Sequence, residues 1–491
     1  MDAREVAKHA SASSCWVVIH DNVYDVTDYL GEHPGGQALL LKLAGADATS
    51  EYTKVHSTTT VQETLPHSKH LGPLDDSTRQ HLRCITKPKP KATTKTASSN
   101  MSGPPPLALC VRLADFEPIA RAAISRQAYT YISSAADTLQ SHHDNLAQWA
   151  SVSFVPRVLR NVALANMDTS TSMLGQPCAL PFFIAATGLA GLTHPEGERA
   201  LAAAAASRGI HYSPSTYSSI PHKEVAELHR AAQKQSCLPS TLFFQLYVHH
   251  DRAKTVQLIR DARAAGYAGL FVTVDTPCVG NRDEDRRLKA EDQLAFGPPP
   301  AKTTKVVAGS NSGQLARNMT WDDLPWIRNA WGHDHGRPLA LKGIQSAADA
   351  KLAADSGLVD AIYLSNHGGR QLHSAPPCLA TLLRIRRECP DVLDKCEVFV
   401  DGGCLRGGDI LKAVCLGAKA VGIGRPLLYA LGAYGMAGVV HAIDILKNEL
   451  ETTLALLGVT SPAQLNSSYI NVAKLARDID GLDGIFGNSK L

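Results

Sequence analysis

Short, β-rich apolar runs recur along the C-terminal part of the chain, at residues 182–187, 211–215, 242–247, 270–275, 339–342, 361–365, 398–401 and 420–424. Between most of them lie Ala-rich segments with apolar positions at helical spacing, at 198–207, 252–265, 347–354 and 409–416. Eight strand–helix units in about 250 residues is the arithmetic of an α/β chain folded as a (β/α)8 TIM barrel. A doubly wound sheet would place a glycine-rich dinucleotide loop after its first strand. The nearest such sequence, Gly422-Ile423-Gly424-Arg425-Pro426, follows the last strand instead. The pattern predicts a barrel.

The N-terminal part has a different grammar. Residues 16–30 predict a hairpin with a polar Asp21-Asn22 turn, leading into a short helix. His33-Pro34-Gly35-Gly36 follows, then a helix near 37–44, then His56. Proline and two glycines force an abrupt turn that holds His33 at a loop edge. Two imidazoles on opposite walls of an apolar pocket can ligate one iron axially. Either histidine alone would more commonly be a solvated turn or helix-end residue. Between the two parts, residues 76–106 include Lys87-Pro88-Lys89-Pro90-Lys91 and a Thr/Ser-rich run, a composition that predicts a solvated tether. The chain thus divides into a small unit (1–75), a linker (76–106) and a large unit (107–491). Residues 283–320 read as a long charged, Pro- and Ser-containing connection, equally a lid or an unstructured insertion.

Composition narrows the function classes. The 491 residues carry 49 Lys and Arg against 46 Asp and Glu, a net charge of +3. That balance excludes a broad basic surface for nucleic acid. No uninterrupted apolar stretch reaches the roughly 18 residues of a membrane span, so no membrane partner is expected. The start lacks the zones of a signal peptide and carries early acidic residues, which predicts a cytoplasmic location. Eleven cysteines without a C-x-x-C pair read as reduced thiols, none of them expected in a site.

Active-site groups of a β/α barrel stand at the C-terminal ends of its strands. In strand order these are Thr187, Thr216, Gln245 with Tyr247, Thr273 with Asp275, Lys342, Ser365 with His367 and Arg370, Asp401-Gly402-Gly403, and Gly424-Arg425. A complete ring of polar endings predicts one shared site. Asp275 can orient the His367 imidazole and stabilise it when protonated. Arg370 offers a planar fork for a carboxylate. Gly403, Gly424 and Arg425 follow the last two strands, where barrels commonly seat a phosphate. Lys342 can compensate negative charge on a cofactor. Together these suggest a phosphate-bearing redox cofactor acting on a small acid. Taken singly, Asp275 or Lys342 is more often a member of a buried ion pair.

Residues 16–74 resemble the cytochrome b5 haem-binding domain, through Trp16-Val17-Val18, Val23-Tyr24-Asp25-Val26-Thr27, His33-Pro34-Gly35-Gly36 and Gly45 with Asp47-Ala48-Thr49. The resemblance implies a small α+β unit with His33 and His56 as axial ligands of haem b. Residues 107–488 resemble the FMN-dependent L-2-hydroxyacid oxidase and dehydrogenase family. The matching runs include His194-Pro195-Glu196-Gly197-Glu198, Phe244-Gln245-Leu246-Tyr247, Thr273-Val274-Asp275-Thr276-Pro277, and Ser365-Asn366-His367-Gly368-Gly369-Arg370-Gln371-Leu372. The two together resemble the flavocytochrome b2 family.

That resemblance implies His367 as the base with Asp275 as its partner, Arg370 on the substrate carboxylate and Tyr247 on the substrate hydroxyl. It implies Arg282 as a second, movable arginine, and Lys342 at one edge of the flavin. Thr187, Thr216, Gln245, Thr273 and Ser365 would hold the flavin ring and ribityl chain, Gly403, Gly424 and Arg425 its phosphate, and Asp401 is counted with the cofactor-binding residues. It further implies an L-2-hydroxy acid substrate, a cytochrome c-like electron acceptor, a homotetramer, and the mitochondrial intermembrane space as an alternative location. Two competing readings are an oxidase that returns electrons from FMN to oxygen, and a non-catalytic electron-transfer or binding module. Three positions depart from the family. Thr130, or Tyr129 after a small shift, stands where a carboxylate-contacting tyrosine is expected; Leu405 replaces a phosphate-binding arginine; and His373 replaces an acidic residue.

Overall fold

A computed structural model of the chain describes residues 1–33, 36–58, 60–82, 103–296, 314–332 and 337–486. The N-terminal unit is a small sheet with helix Ala3–Lys8 on one face and further short helices on the other. Strands Ser14–Ile19 and Asn22–Asp25 form the expected hairpin. Its tight turn is His20–Asp21, both at positive φ (47° and 60°), one residue earlier than the sequence suggested. Two left-handed residues match the twist of the flanking strands. Helices Gln37–Leu43, Thr49–Tyr52 and Thr60–Thr64 stand beside the sheet. They enclose an apolar interior of Val17, Ile19, Tyr24, Val26, Leu30, Leu43, Val61 and Leu65.

Residues just past 75 pack back onto the small unit. Asp76–His81 forms a 3-10 turn whose Thr78 Oγ1 accepts the Ala3 N–H at 2.8 Å, and Leu82 packs on Ala3, Val6, Val18 and Val23. The polar composition concealed this, since one terminal leucine does the packing. The Lys/Pro run and most of the tether lie outside the described residues.

All eight predicted barrel strands are present: Phe182–Ile184, His211–Tyr212, Phe243–Tyr247, Gly269–Thr273, Leu339–Ile344, Ala361–Leu364, Glu397–Val400 and Ala420–Ile423. They are parallel and pair in sequence order, strand eight returns to strand one, and a Tyr212–Leu242 bridge joins strands two and three to close the ring. Buried rings from strands one, four, six and seven fill the interior: Phe183, Phe271, Tyr363 and Phe399, with centroids 5.5–6.2 Å apart. Gly422 on strand eight makes room for this plug, because a Cβ there would collide with the Tyr363 hydroxyl.

Helices outside the repeat roof the C-terminal rim: Phe116–Ala123, Arg126–Ser133 and Gln140–Ala147. The segment expected as a lid begins as a helix, Asp283–Phe296. Asp283, Glu284 and Asp285 in its first turn suit the positive end of the helix dipole, and Asp285 pairs with Lys289 one turn on at 3.1 Å. Residues 297–313 of that segment lie outside the described residues. The helix after strand eight, Arg425–Leu457, is long and apolar enough to cross a membrane by composition. It bends at Tyr434-Gly435 and buries Leu427, Leu431, Val439, Ile443, Leu446, Leu450 and Leu454 within the fold.

Replacing Phe183 by alanine removes one quarter of the aromatic plug and should cost about 3–5 kcal/mol. A denaturant titration followed through the barrel's near-ultraviolet signal checks this; a loss below about 1 kcal/mol would show that the plug can collapse onto the void.

Candidate active site and haem pocket

His367 follows strand six in an unusual backbone. Its φ is +59°, and Gly368 and Gly369 continue in the left-handed region at 64° and 78°. A non-glycine residue holds that conformation only when its surroundings enforce it. Here the His367 N–H donates to Ser365 Oγ at 3.0 Å, and the Gly369 N–H to Asn366 Oδ1 at 3.0 Å. Asn366 is itself locked by reciprocal amide bonds to Asn145 at 2.7 and 2.8 Å. The imidazole therefore has a fixed position. Its Nδ1 lies 3.1 Å from both Asp275 oxygens, and its Nε2 lies 3.0 Å from the Tyr247 hydroxyl.

The electrostatics of this triad follow from burial. Desolvation lowers the His367 pKa, with Asp275 opposing and Lys342 reinforcing the shift, so the imidazole is held neutral. Burial alone would raise the Asp275 carboxyl, but His367 and Lys342 hold it below its ordinary value. A neutral imidazole whose Nδ1–H is taken by a carboxylate presents Nε2 as the proton acceptor.

Two arginines complete the wall by capping a helix. Helix Arg126–Ser133 ends with carbonyls that have no partner inside the helix. Arg370 donates to the carbonyls of Tyr131, Ile132 and Ser134, each at 2.8 Å, and Arg425 donates to that of Ser133 at 3.4 Å and to that of Gly368. Of the five guanidinium N–H donors, three on Arg370 are used, leaving Nε–H and one on Nη2 for a ligand. Burial, with Arg282 next, loosens Arg370's hold on its proton, so an added anion would be favoured there. Arg282 Nε is buried without a hydrogen-bond partner, and its guanidinium and that of Arg370 lie 6.0 and 5.4 Å from the Tyr131 ring centre.

These groups share one cavity of about 270 Å³. Tyr247, Arg282, Lys342, His367, Arg370, Asp401, Thr187, Gly403, Gly424 and Arg425 line it, whereas Asp275 stands behind His367. Thr216, Gln245, Thr273 and Ser365 form the layer beneath. Gln245 joins Thr216 N (3.1 Å) to Thr273 Oγ1 (2.8 Å), and Ser365 Oγ joins Lys342 Nζ to Asp401, both at 3.0 Å. Four cations on the wall face two wall carboxylates, Glu117 and Asp401. The excess suits ligands with more than one negative charge.

A flavin mononucleotide fits this donor set. Thr187 Oγ1 is buried without a partner, Lys342 is 4% exposed beside Ser365, and a Cβ on Gly424 would meet only Thr187 Cγ2, at 3.6 Å, so the backbone there is open to close approach. Gly424 caps and Arg425 begins the long helix after strand eight, whose free N–H groups suit a phosphate. Leu405 lines this end of the cavity, and Arg406 turns outward to Glu449 at 2.8 Å, so Arg425 is the arginine left for the phosphate.

The structure corrects two expectations. Neither Thr130 nor Tyr129 reaches the cavity; Tyr129 bonds Glu117 at 2.9 Å, and the tyrosine on the wall is Tyr131. Helical phase decides this, because Tyr131 lies in the last turn, whose carbonyls Arg370 captures. Cys404, thought to lie apart from any site, is buried on the cavity wall. Sequence reasoning also missed Tyr217, stacked on Tyr247 at 5.2 Å, and His142, whose Nδ1 is buried without a partner. Tyr217 was legible only as the neighbour of Thr216.

In the N-terminal unit His33 and His56 face each other with ring centroids 6.0 Å apart. Two metal–nitrogen bonds of roughly 2 Å plus two ring radii come close to that spacing. Burial pushes the His33 pKa down to about 3, with His56 adding to it, and that of His56 to about 4, so both imidazoles offer neutral lone pairs. His33 Nδ1 lies 3.4 Å from the Gly36 carbonyl, which leaves Nε2 for iron. Pro34 and Gly35 lie outside the described residues.

Asp275→Asn should move the His367 titration further downward, because it removes the charge that favours the imidazolium. Histidine NMR resonances followed against pH report it; an upward shift would mean that Asp275 does not act through its charge.

Comparison with known proteins agrees with both sites. Residues 120–472 match the FMN-dependent dehydrogenase family and residues 2–75 the cytochrome b5-like heme/steroid binding domain. The L-lactate dehydrogenases (cytochrome) of Wickerhamomyces anomalus and Saccharomyces cerevisiae are 36% and 37% identical, over 96% of this chain and 79% of each relative. An L-lactate oxidase of Nostoc is 39% identical over 74% of this chain and 98% of its own. A mutant flavocytochrome b2 with pyruvate bound superposes with a TM-score of 0.68 at 35% identity, covering 79% of this chain and 94% of that one. The cation-lined barrel cavity and the paired imidazoles therefore have a common explanation: the chain belongs to the FMN-dependent dehydrogenase family and carries a cytochrome b5-like haem domain ahead of its barrel, as flavocytochrome b2 does.

Proposed function

We propose that the chain oxidises L-lactate to pyruvate and delivers the electrons singly, through its own haem b, to a cytochrome c-like acceptor. The observation that carries this reading is the His367–Asp275–Tyr247 triad set beside unsatisfied arginine donors, in one chain with a bis-imidazole pocket. In this reading Arg370 holds the substrate carboxylate through its two free N–H groups, and Arg282 adds a second contact. Tyr247 bonds the substrate hydroxyl, and His367 Nε2 takes a proton from the substrate. Asp275 then stabilises the imidazolium. Lys342, buried against Ser365, supplies positive charge at the flavin edge. FMN, when bound, supplies an acceptor for an electron pair that can release electrons one at a time.

The Tyr217 and Tyr247 rings on the cavity wall limit the size of the acid. Tyr217 lies over Tyr247 with rings 25° apart, next to Gly188, where a Cβ would already touch Tyr217 Cβ at 3.4 Å. That leaves room for a short side chain such as a methyl group. The relatives named for L-lactate support the same choice.

Turnover with L-lactate under air should reduce added cytochrome c without producing peroxide in proportion; peroxide formation with little cytochrome reduction would indicate an oxidase. Tyr217→Ala should raise the ratio of kcat/KM for L-mandelate over L-lactate by about 10–100-fold. An unchanged ratio would show that Tyr217 does not set the size limit.

A further inference from the structure

Two contacts between the haem unit and the barrel each lie beside one of the paired histidines. Gly191 receives the backbone carbonyl of Lys54, two residues before His56; a Cβ on Gly191 would overlap that oxygen. Asp292, 8% exposed, abuts Gly36, three residues after His33; a Cβ on Gly36 would lie 2.6 Å from Asp292 Oδ2. The Gly36 N–H closes a turn onto the His33 carbonyl at 3.0 Å, so its position is tied to that of His33.

Both barrel elements also border the flavin cavity. Gly188 lines the cavity, and Gly191 follows three residues later in a loop held from below by Glu198, which is fully buried. Glu198 Oε1 accepts the N–H groups of Ala190 and Ser219 at 3.1 and 2.9 Å, and Ser219 Oγ accepts that of Gly191 at 2.9 Å. On the other side Arg282 lines the cavity, and helix Asp283–Phe296 runs from it to Asp292 while packing on helix Gln37–Leu43. Two short rigid links therefore run from the cavity wall to the two ligand loops.

We propose that Gly191 and Asp292 are positioning residues that register the haem pocket against the flavin cavity, one for each ligand loop. The assignment rests on the flavin-to-haem transfer described above. Each acid oxidised yields two electrons; the iron accepts one at a time, going from ferric to ferrous, and passes it to the external cytochrome before the next. Electron tunnelling falls steeply with distance, so a side chain wedged between Gly191 and Lys54 slows this transfer without touching the chemistry at His367.

The test is rapid mixing of holoenzyme with L-lactate, following flavin bleaching and haem reduction separately. In Gly191→Ala, in Gly191→Ala/Ser219→Gly (which relieves crowding on the barrel side) and in Asp292→Lys, flavin bleaching should stay near wild type. Because tunnelling falls with separation, a displacement on the order of an ångström should slow haem reduction several-fold. Asp292→Asn, of the same size, should behave as wild type. Amide exchange should rise over residues 49–56 in the Gly191 variants and over residues 36–43 in Asp292→Lys, while residues 14–26 stay protected. Unchanged haem reduction, or equal slowing of both centres, would overturn the assignment. A wild-type haem that substrate never reduces would instead overturn the transfer on which it rests.

Discussion

The site depends on how the last carbonyls of helix Arg126–Ser133 are satisfied. Those oxygens point into the barrel mouth with no intrahelical partner, and Arg370 and Arg425 take them. The contact does three things at once. It anchors a roofing helix to the rim, fixes Tyr131 against the cavity, and aims the remaining guanidinium donors inward. With Lys342 and Arg282 added, the wall carries more buried positive charge than its own carboxylates balance. Such an arrangement is stable in company, so the anions of cofactor and substrate complete it, and the same charges then orient what they bind.

His367 is the counterpart in backbone. Its left-handed conformation between Asn366 and two glycines is held by Ser365 and by the Asn366–Asn145 pair, a lock that reaches into the Gln140–Ala147 helix. The triad is thus assembled from strands three, four and six and braced by a segment far away in sequence. The haem pocket solves a simpler problem. Burial disfavours the protonated form of both imidazoles, and His33 and His56 stand on two segments that each lie against the barrel.

Much of this was legible in the sequence because the signals were periodic or chemically rare. Eight apolar runs at regular spacing marked the strands, and polar strand endings marked the rim before any geometry was known. His33 and His56 needed only an apolar pocket between them. What stayed hidden was phase and side-chain direction. Tyr129, Thr130 and Tyr131 are equivalent in composition, and only the helix end chooses Tyr131. Leu405 and Arg406 could have exchanged roles until Glu449, more than 40 residues later, drew Arg406 outward. Tyr217 and Gly191 carry no local signal at all, since their importance comes from what packs against them.

This chain couples a hydroxy-acid site to its own haem. Anaerobic titration of the holoenzyme with L-lactate, read as a full absorbance spectrum, tests it most directly. Substrate alone should bleach the flavin and convert the haem bands to the ferrous form, with no other electron donor present. A flavin that bleaches while the haem stays ferric, or a spectrum that does not respond to any short L-2-hydroxy acid, would contradict it.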